Sequence, residues 1–308
     1  MPPYRDGLHQ DSPFSVLPRR PNAFPPPAAR FIRPGCHAAV LSVWLVLLAG
    51  CASLPDTATV QTARGEHSAV RAGTGSPTVI FEAGAGEKLD TWEKVFPVIA
   101  QDTTVFAYSR RGYGVGLPVL TKRDGATIVA ELRALLAAEG LRPPYLLVGH
   151  SLGGLYLQLF AKMYPQEVAG AVLVDPTSPD QMARMQQEHA GSYALMQTML
   201  AVSSLSTVTA EMRAMDETSR QWHAAGPFPR CPMILLSARR PTGPMGEDFL
   251  LFIQRMQAQV VAAWPGAEQR LVDSNHFIQQ ERPDVVIAAI REVLARGRPS
   301  RGGPVPPP

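Results

Sequence analysis

The chain has 308 residues, 45% of them hydrophobic and 18% charged, which is enough apolar material for one core of about 230 to 250 residues with tails outside it. Its formal net charge is +3, but residues 1–50 carry five Arg (Arg5, Arg19, Arg20, Arg30, Arg33) against Asp6 and Asp11, leaving 24 basic and 24 acidic side chains in residues 51–308. This composition excludes a fibrous or wholly disordered chain, and a neutral body argues against a nucleic-acid partner.

The first element is a leader, residues 1–50. Arg30 and Arg33 precede the apolar run AAVLSVWLVLLAG, which closes at LAGC, Leu48 to Cys51. The run is too short for a confident membrane span, and small residues ahead of a Cys suit cleavage. The segment resembles a bacterial lipoprotein signal with its lipobox. The resemblance implies removal of residues 1–50, lipid on Cys51 as the membrane attachment, and a place in the bacterial cell envelope, periplasmic or outer face, with secretion as the alternative. An uncleaved short anchor and a chance apolar stretch stay open beside it. Pro-rich residues 1–27 fit no targeting element, so the translation start is expected further in. Cys36 would leave with the leader and Cys51 would carry lipid, so Cys231 is alone and no internal disulfide is expected. Cys231 reads more simply as a small buried residue than as a reactive thiol.

Residues 51–75 are expected to form a linker and edge strands, with a hairpin over 60–73. Apolar runs then predict strands at Thr78–Ala83, Thr103–Tyr108, Tyr145–Val148, Ala171–Asp175, Met233–Ser237 and Gln269–Val272. Between them lie helical patterns at Thr127–Glu139, with an apolar stripe of Ile128, Leu132, Leu135 and Leu136, at Leu152–Tyr164, and at Val285–Ala295. Such alternation predicts an α/β fold, a mostly parallel sheet covered by helices. Thr177–Phe228 holds no strand pattern and reads as a helical cap inserted after Asp175. Its methionines come as pairs three apart, at 182 and 185, 196 and 199, and 212 and 215. Each pair shares a helix face, which suits either packing onto the body or an adaptable apolar ligand surface. Residues 297–308, rich in Pro and Gly, have the composition of a disordered tail.

In YLLVGHSLGGLYLQLFAKMYP, Tyr145 to Pro165, a buried strand meets a helix at Ser151. Gly149, Ser151 and Gly153 form G-x-S-x-G, in which a tight turn needs residues without a bulky Cβ so that the hydroxyl projects from the sheet. The helix that starts there aims free N–H groups and the positive end of its dipole at the place where an oxyanion would form. A serine hydroxyl is a weak nucleophile and needs a neighbouring base. His150 would point away from it along the strand.

The order of elements around this corner resembles the α/β-hydrolase family over roughly residues 76–296. VIFEAGAGEKLDTWEKV resembles the family's third strand and oxyanion loop, with Ala83 where many members have His. VFAYSRRGYGVG resembles the next strand and its turn, and SNHFIQQERPDVV the late histidine loop. The resemblance implies Ser151 as nucleophile, His276 as base, and the backbone N–H groups of Leu152 and Ala85, with Gly86 a near alternative to Ala85, as oxyanion donors. For the acid it leaves two seats, of which Asp175 is the one expected and Asp248 the alternative. Asp175 ends a strand at the catalytic edge of the sheet, as in some lipases of this fold; Asp248, with Glu247 beside it, comes after the next strand, where an acid at a helix start also serves as a cap.

The function expected is a serine hydrolase that cleaves an ester or related small apolar acyl substrate through an acyl-enzyme, a carboxylesterase or lipase-like activity. Alternatives are carbon–carbon hydrolysis, thioester cleavage or haloperoxidase-like chemistry on the same scaffold, or, in another class, a surface-anchored binding protein without turnover. No cofactor and no metal are expected, since RRGYGVG does not complete G-x-G-x-x-G and no metal-ligand spacing occurs. No protein partner is readable.

Overall fold

The computed structural model describes residues 54–120, 122–202, 206–242 and 246–297. Residues 1–50, read above as a leader, Cys51, expected there to carry lipid, and the expected tail beyond Gly297 lie outside them. Eight strands form one sheet: β1 Ala58–Thr62, β2 Gly65–Ala72, β3 Thr78–Glu82, β4 Val105–Ser109, β5 Tyr145–His150, β6 Val168–Val174, β7 Met233–Ala238 and β8 Ala267–Val272. Their order is β1-β2-β4-β3-β5-β6-β7-β8. The first two make the expected edge hairpin and pair antiparallel, and β2 runs antiparallel to β4; from β4 to β8 every pairing is parallel.

The six parallel strands alternate with helices because each crossover must return the chain to the same end of the sheet. Strands β3, β4 and β5 are buried along their whole length, which is why they read as continuous apolar runs rather than as alternation. Successive residues still serve opposite faces. Leu147, Leu173 and Leu235 belong to the core on one side, and Val148, Val172 and Ile234 to the core on the other.

The flanking helices are α1 Phe96–Ile99, α2 Gly125–Ala138, α3 Ser151–Met163, α8 Gly246–Ala263, α9 Ile278–Glu281 and α10 Pro283–Gly297, with α4 to α7 in the cap. Asp124 caps α2 by accepting the Thr127 N–H, and the expected stripe of Ile128, Leu132, Leu135 and Leu136 is buried. Between β6 and β7 the cap consists of α4 Gln181–Glu188, α5 Ala190–Val202, α6 Thr207–Arg213 and α7 Met215–Ala224. Sequence signals marked only the start of α8, which runs for 18 residues. The methionine pairs divide their work: Met182 and Met215 are buried in the core, whereas Met185, Met196 and Met212 line a cavity.

Candidate active site

At the junction of β5 and α3, Ser151 holds φ = +50°, a left-handed conformation that a side chain adopts only where its surroundings enforce it. They do so through close backbone approach. A Cβ at Gly153 would stand 2.4 Å from the Ala83 carbonyl oxygen, and one at Gly149 would stand 2.8 Å from the Gly154 Cα. Gly153 therefore lets the corner close against the end of β3, and Gly149 lets β5 and the first turn of α3 fold tightly onto each other. A second strained residue lies one strand away: Asp175, just beyond β6, has φ = +43°.

Asp175 and His276 meet. His276 Nδ1 donates to Asp175 Oδ2 at 2.6 Å, and the other oxygen, Oδ1, accepts from Gln257 Nε2 at 2.9 Å and from the Ala238 N–H at 3.2 Å. Burial alone would raise the Asp175 carboxyl, but the bond and charge of His276 and the donors on Oδ1 hold it below its ordinary value. Burial likewise opposes charge on His276, and Asp175, joined by the charge of Glu87, more than offsets it, so the imidazole pKa is raised. Gln257 is itself held in orientation, since Ser237 Oγ donates to its Oε1 at 2.6 Å and Gln269 Nε2 donates to Ser237 Oγ at 2.9 Å.

Ser151, Asp175 and His276 all line one cavity of about 280 Å³, together with Ala85 and Leu152. Its far wall is apolar, built from Met185, Met196 and Met212 of the cap and from Phe249, Leu250 and Ile253 of α8. Glu247 and Asp248 are exposed in the first turn of α8, and Asp248 is not among the cavity residues or the partners of His276.

A family model described as the alpha/beta hydrolase fold matches residues 77–201. Among curated proteins, the chain is 36% identical over 114 residues to the uncharacterized protein YqjL of Bacillus subtilis, covering 37% of this chain and 45% of that one. It is 35% identical over 151 residues to an esterase of Mycobacterium tuberculosis, covering 46% of this chain and 47% of the relative. The chain thus spans less than half the length of these two relatives. Among solved structures, a thermophilic esterase from Thermogutta terrifontis aligns with a TM-score of 0.53 at 18% identity, over 79% of this chain and 100% of that one. The chain has the α/β-hydrolase fold.

In an α/β-hydrolase sheet the loop after β3 lies beside the corner, and three successive N–H groups of that loop have different surroundings here. Gly84 N–H donates to Glu87 Oε2 at 2.8 Å. The N–H of Gly86 lies beside the Tyr113 hydroxyl oxygen. Ala85 N–H has no hydrogen bond among the described residues, and neither has Leu152 N–H in the first turn of α3, where no intrahelical acceptor exists. These are the two N–H groups expected from the sequence.

Two residues of the site were given no role beforehand. Glu87 gathers the Gly84 N–H, the Thr91 hydroxyl at 2.8 Å and the His150 Nδ1 at 2.5 Å. Burial would raise its carboxyl, but these donors outweigh burial and press its pKa down to about 2. His150, set aside by the sequence reading, is buried, and its Nε2 donates to the carbonyl of His276 at 3.0 Å. The pair thus joins the loop after β3 to the loop that carries His276. The E-x-x-x-T spacing from Glu87 to Thr91 was a local signal for the first half of this arrangement; nothing local signalled the second. Cys231 is half-buried rather than buried, and burial pushes its thiol up to about 11, the opposite of an activated nucleophile.

Proposed function

We propose that this chain is a serine hydrolase that cleaves an ester or related acyl compound with an apolar acyl group, through an acyl-enzyme. The observation that carries the reading is the convergence on one cavity of a serine held at positive φ on a helix N-terminus and a histidine bonded through Nδ1 to a buried carboxylate. With Nδ1–H committed to Asp175, the lone pair of His276 is on Nε2, the tautomer a general base needs.

In the proposed reaction Ser151 Oγ attacks the acyl carbonyl carbon while its proton passes to His276 Nε2. The carbonyl oxygen takes the electron pair and is met by the N–H groups of Leu152 and Ala85. Collapse of the tetrahedral adduct breaks the bond to the alcohol, which leaves with the proton from His276. Water then attacks the acyl-enzyme, gives its proton to the same nitrogen, and the acid departs as Ser151 recovers its hydrogen. The apolar wall of Met185, Met196, Met212 and Phe249 suits the acyl chain. A cavity of about 280 Å³ lies just below the ~300 to 1,000 Å³ usual for ligand pockets, and this favours short or medium acyl groups.

The test is labelling and turnover by purified residues 52–308. Wild-type protein should react with a fluorophosphonate probe and hydrolyse p-nitrophenyl esters of graded acyl length, and Ser151→Ala should do neither while keeping its circular dichroism. Turnover retained by Ser151→Ala would remove the serine from the reaction.

A further inference from the structure

The largest feature that this mechanism leaves unused is a buried cluster of charge behind the loop after β3. Its centre is Arg110, which follows β4 and is almost wholly buried. A guanidinium has five N–H donors, and Arg110 has a partner for each. Nη1 donates to Glu82 Oε1 at 2.7 Å and to the Ala83 carbonyl at 2.5 Å; Nη2 donates to the Gly84 carbonyl at 2.8 Å and to Glu211 Oε2 at 3.0 Å; Nε donates to Glu211 Oε1 at 3.0 Å. One side chain therefore holds two successive carbonyls immediately before the Ala85 N–H.

The carboxylates that orient this fork come from different layers. Glu82 ends β3 and belongs to the sheet, where it also accepts from the Tyr108 hydroxyl. Glu211 lies on α6 and belongs to the cap. Besides the two bonds from Arg110 it accepts from the Tyr113 hydroxyl at 2.8 Å and from Arg123 Nη2 at 3.1 Å, and Arg123 is anchored in turn by Glu131 of α2 at 2.7 Å. Arg110, Arg123, Glu82 and Glu211 are all buried, so none of these charges has water as a substitute partner, and loss of one leaves another uncompensated. A paired fork is directional in a way that a point charge is not. With Glu211 in place, Nε and one Nη2 hydrogen face the cap, and the remaining donors can only face the sheet carboxylate and the two loop carbonyls.

We propose that Glu211 is a positioning residue for the oxyanion loop: from the cap it holds Arg110 in the orientation that grips the Ala83 and Gly84 carbonyls, so that the docked cap and a formed oxyanion site are one structural state. The inference rests on the serine-hydrolase reading above. Its consequence is that a cap displaced from the body loses transition-state stabilisation at the same moment that it opens the apolar wall, which ties acyl-group binding by the cap to turnover.

The experiment compares Glu211→Gln and Tyr113→Phe with wild type and Ser151→Ala, each as the full chain. For each, kcat and KM are measured on a short p-nitrophenyl ester, with the inhibition constant of a matched trifluoromethyl ketone, whose serine adduct carries an oxyanion. Removing one oxyanion donor costs ~10² to 10³ in kcat, and a loop shifted rather than lost should cost less, ~10 to 100-fold for Glu211→Gln with KM within about 3-fold. The ketone should weaken in step with kcat. Tyr113→Phe keeps every charge and removes only the hydroxyl between Glu211 and the loop, so it should fold and lose ~3 to 10-fold in kcat by the same measure. A folded Glu211→Gln protein with wild-type kcat and ketone affinity overturns the proposal; so does an unaltered Tyr113→Phe if Glu211→Gln does not fold. If Ser151→Ala is inactive while both variants turn over normally, only this proposal has failed, whereas an active Ser151→Ala protein shows that the serine-hydrolase reading was at fault.

Discussion

Replacing Asp175 by Asn tests the acid directly, because every neighbour of that carboxylate is a donor. Oδ2 accepts from His276 Nδ1, and Oδ1 accepts from Gln257 Nε2 and the Ala238 N–H. An asparagine of nearly the same size offers one acceptor oxygen and one donor NH₂, so no orientation keeps both the hydrogen bonds and the tautomer of His276. If the NH₂ faces His276, Nδ1 must become the acceptor, the ring proton moves to Nε2, and the base can no longer take the Ser151 proton. If the amide is flipped, the NH₂ meets two other donors, at a cost of ~1 to 3 kcal/mol for buried groups left unpaired. Gln257 is fixed by Ser237 and cannot readily reverse its own amide. The first orientation is therefore the less costly one, and it carries the wrong tautomer. The expected loss is ~10⁴ in kcat, or about 5.5 kcal/mol of transition-state stabilisation, with KM nearly unchanged. Asp248→Asn, in an exposed first turn, should leave kcat within about 2-fold and lose ~0.3 to 1 kcal/mol of stability from the helix dipole. Steady-state kinetics on one ester and thermal unfolding of both variants suffice. A silent Asp248→Asn beside an active Asp175→Asn would refute the reasoning.

The pH profile follows from the raised pKa of His276. Below it the ring is an imidazolium and cannot accept the serine proton, so kcat/KM should fall as the pH drops through a midpoint above the ordinary histidine value of 6.5; a midpoint below 6 would contradict the coupling to Asp175. The proposed lipid on Cys51 should bring full-length protein into the membrane fraction and make it incorporate labelled fatty acid, and Cys51→Ser should abolish both; soluble, unlabelled wild-type protein would reject the lipoprotein reading.

The sequence by itself determined the α/β class and the strand-to-helix corner at Ser151. Both are encoded by neighbours: continuous apolar runs and helical stripes within a few residues, and at Ser151 a strand, two motif glycines and a helix start packed into a dozen positions. His276 was legible only through the order of elements, as the histidine after the last strand. The sequence favoured Asp175 over Asp248 as the candidate acid without deciding it, since the histidine it would pair with lies 101 residues further along the chain and a carboxylate at a strand end also serves as a plain turn former. Tertiary structure decided which one reaches His276: β6 lies next to β5 in the sheet, so Asp175 emerges beside the corner, whereas Asp248 starts a helix at the surface. The same holds for His150 reaching the His276 carbonyl across 126 residues and for Glu211 reaching Arg110 across 101. A turn is set by the torsions of the residues that form it, but a hydrogen bond between distant side chains exists only once strand order and cap docking have brought their backbones together, and no local pattern carries that information.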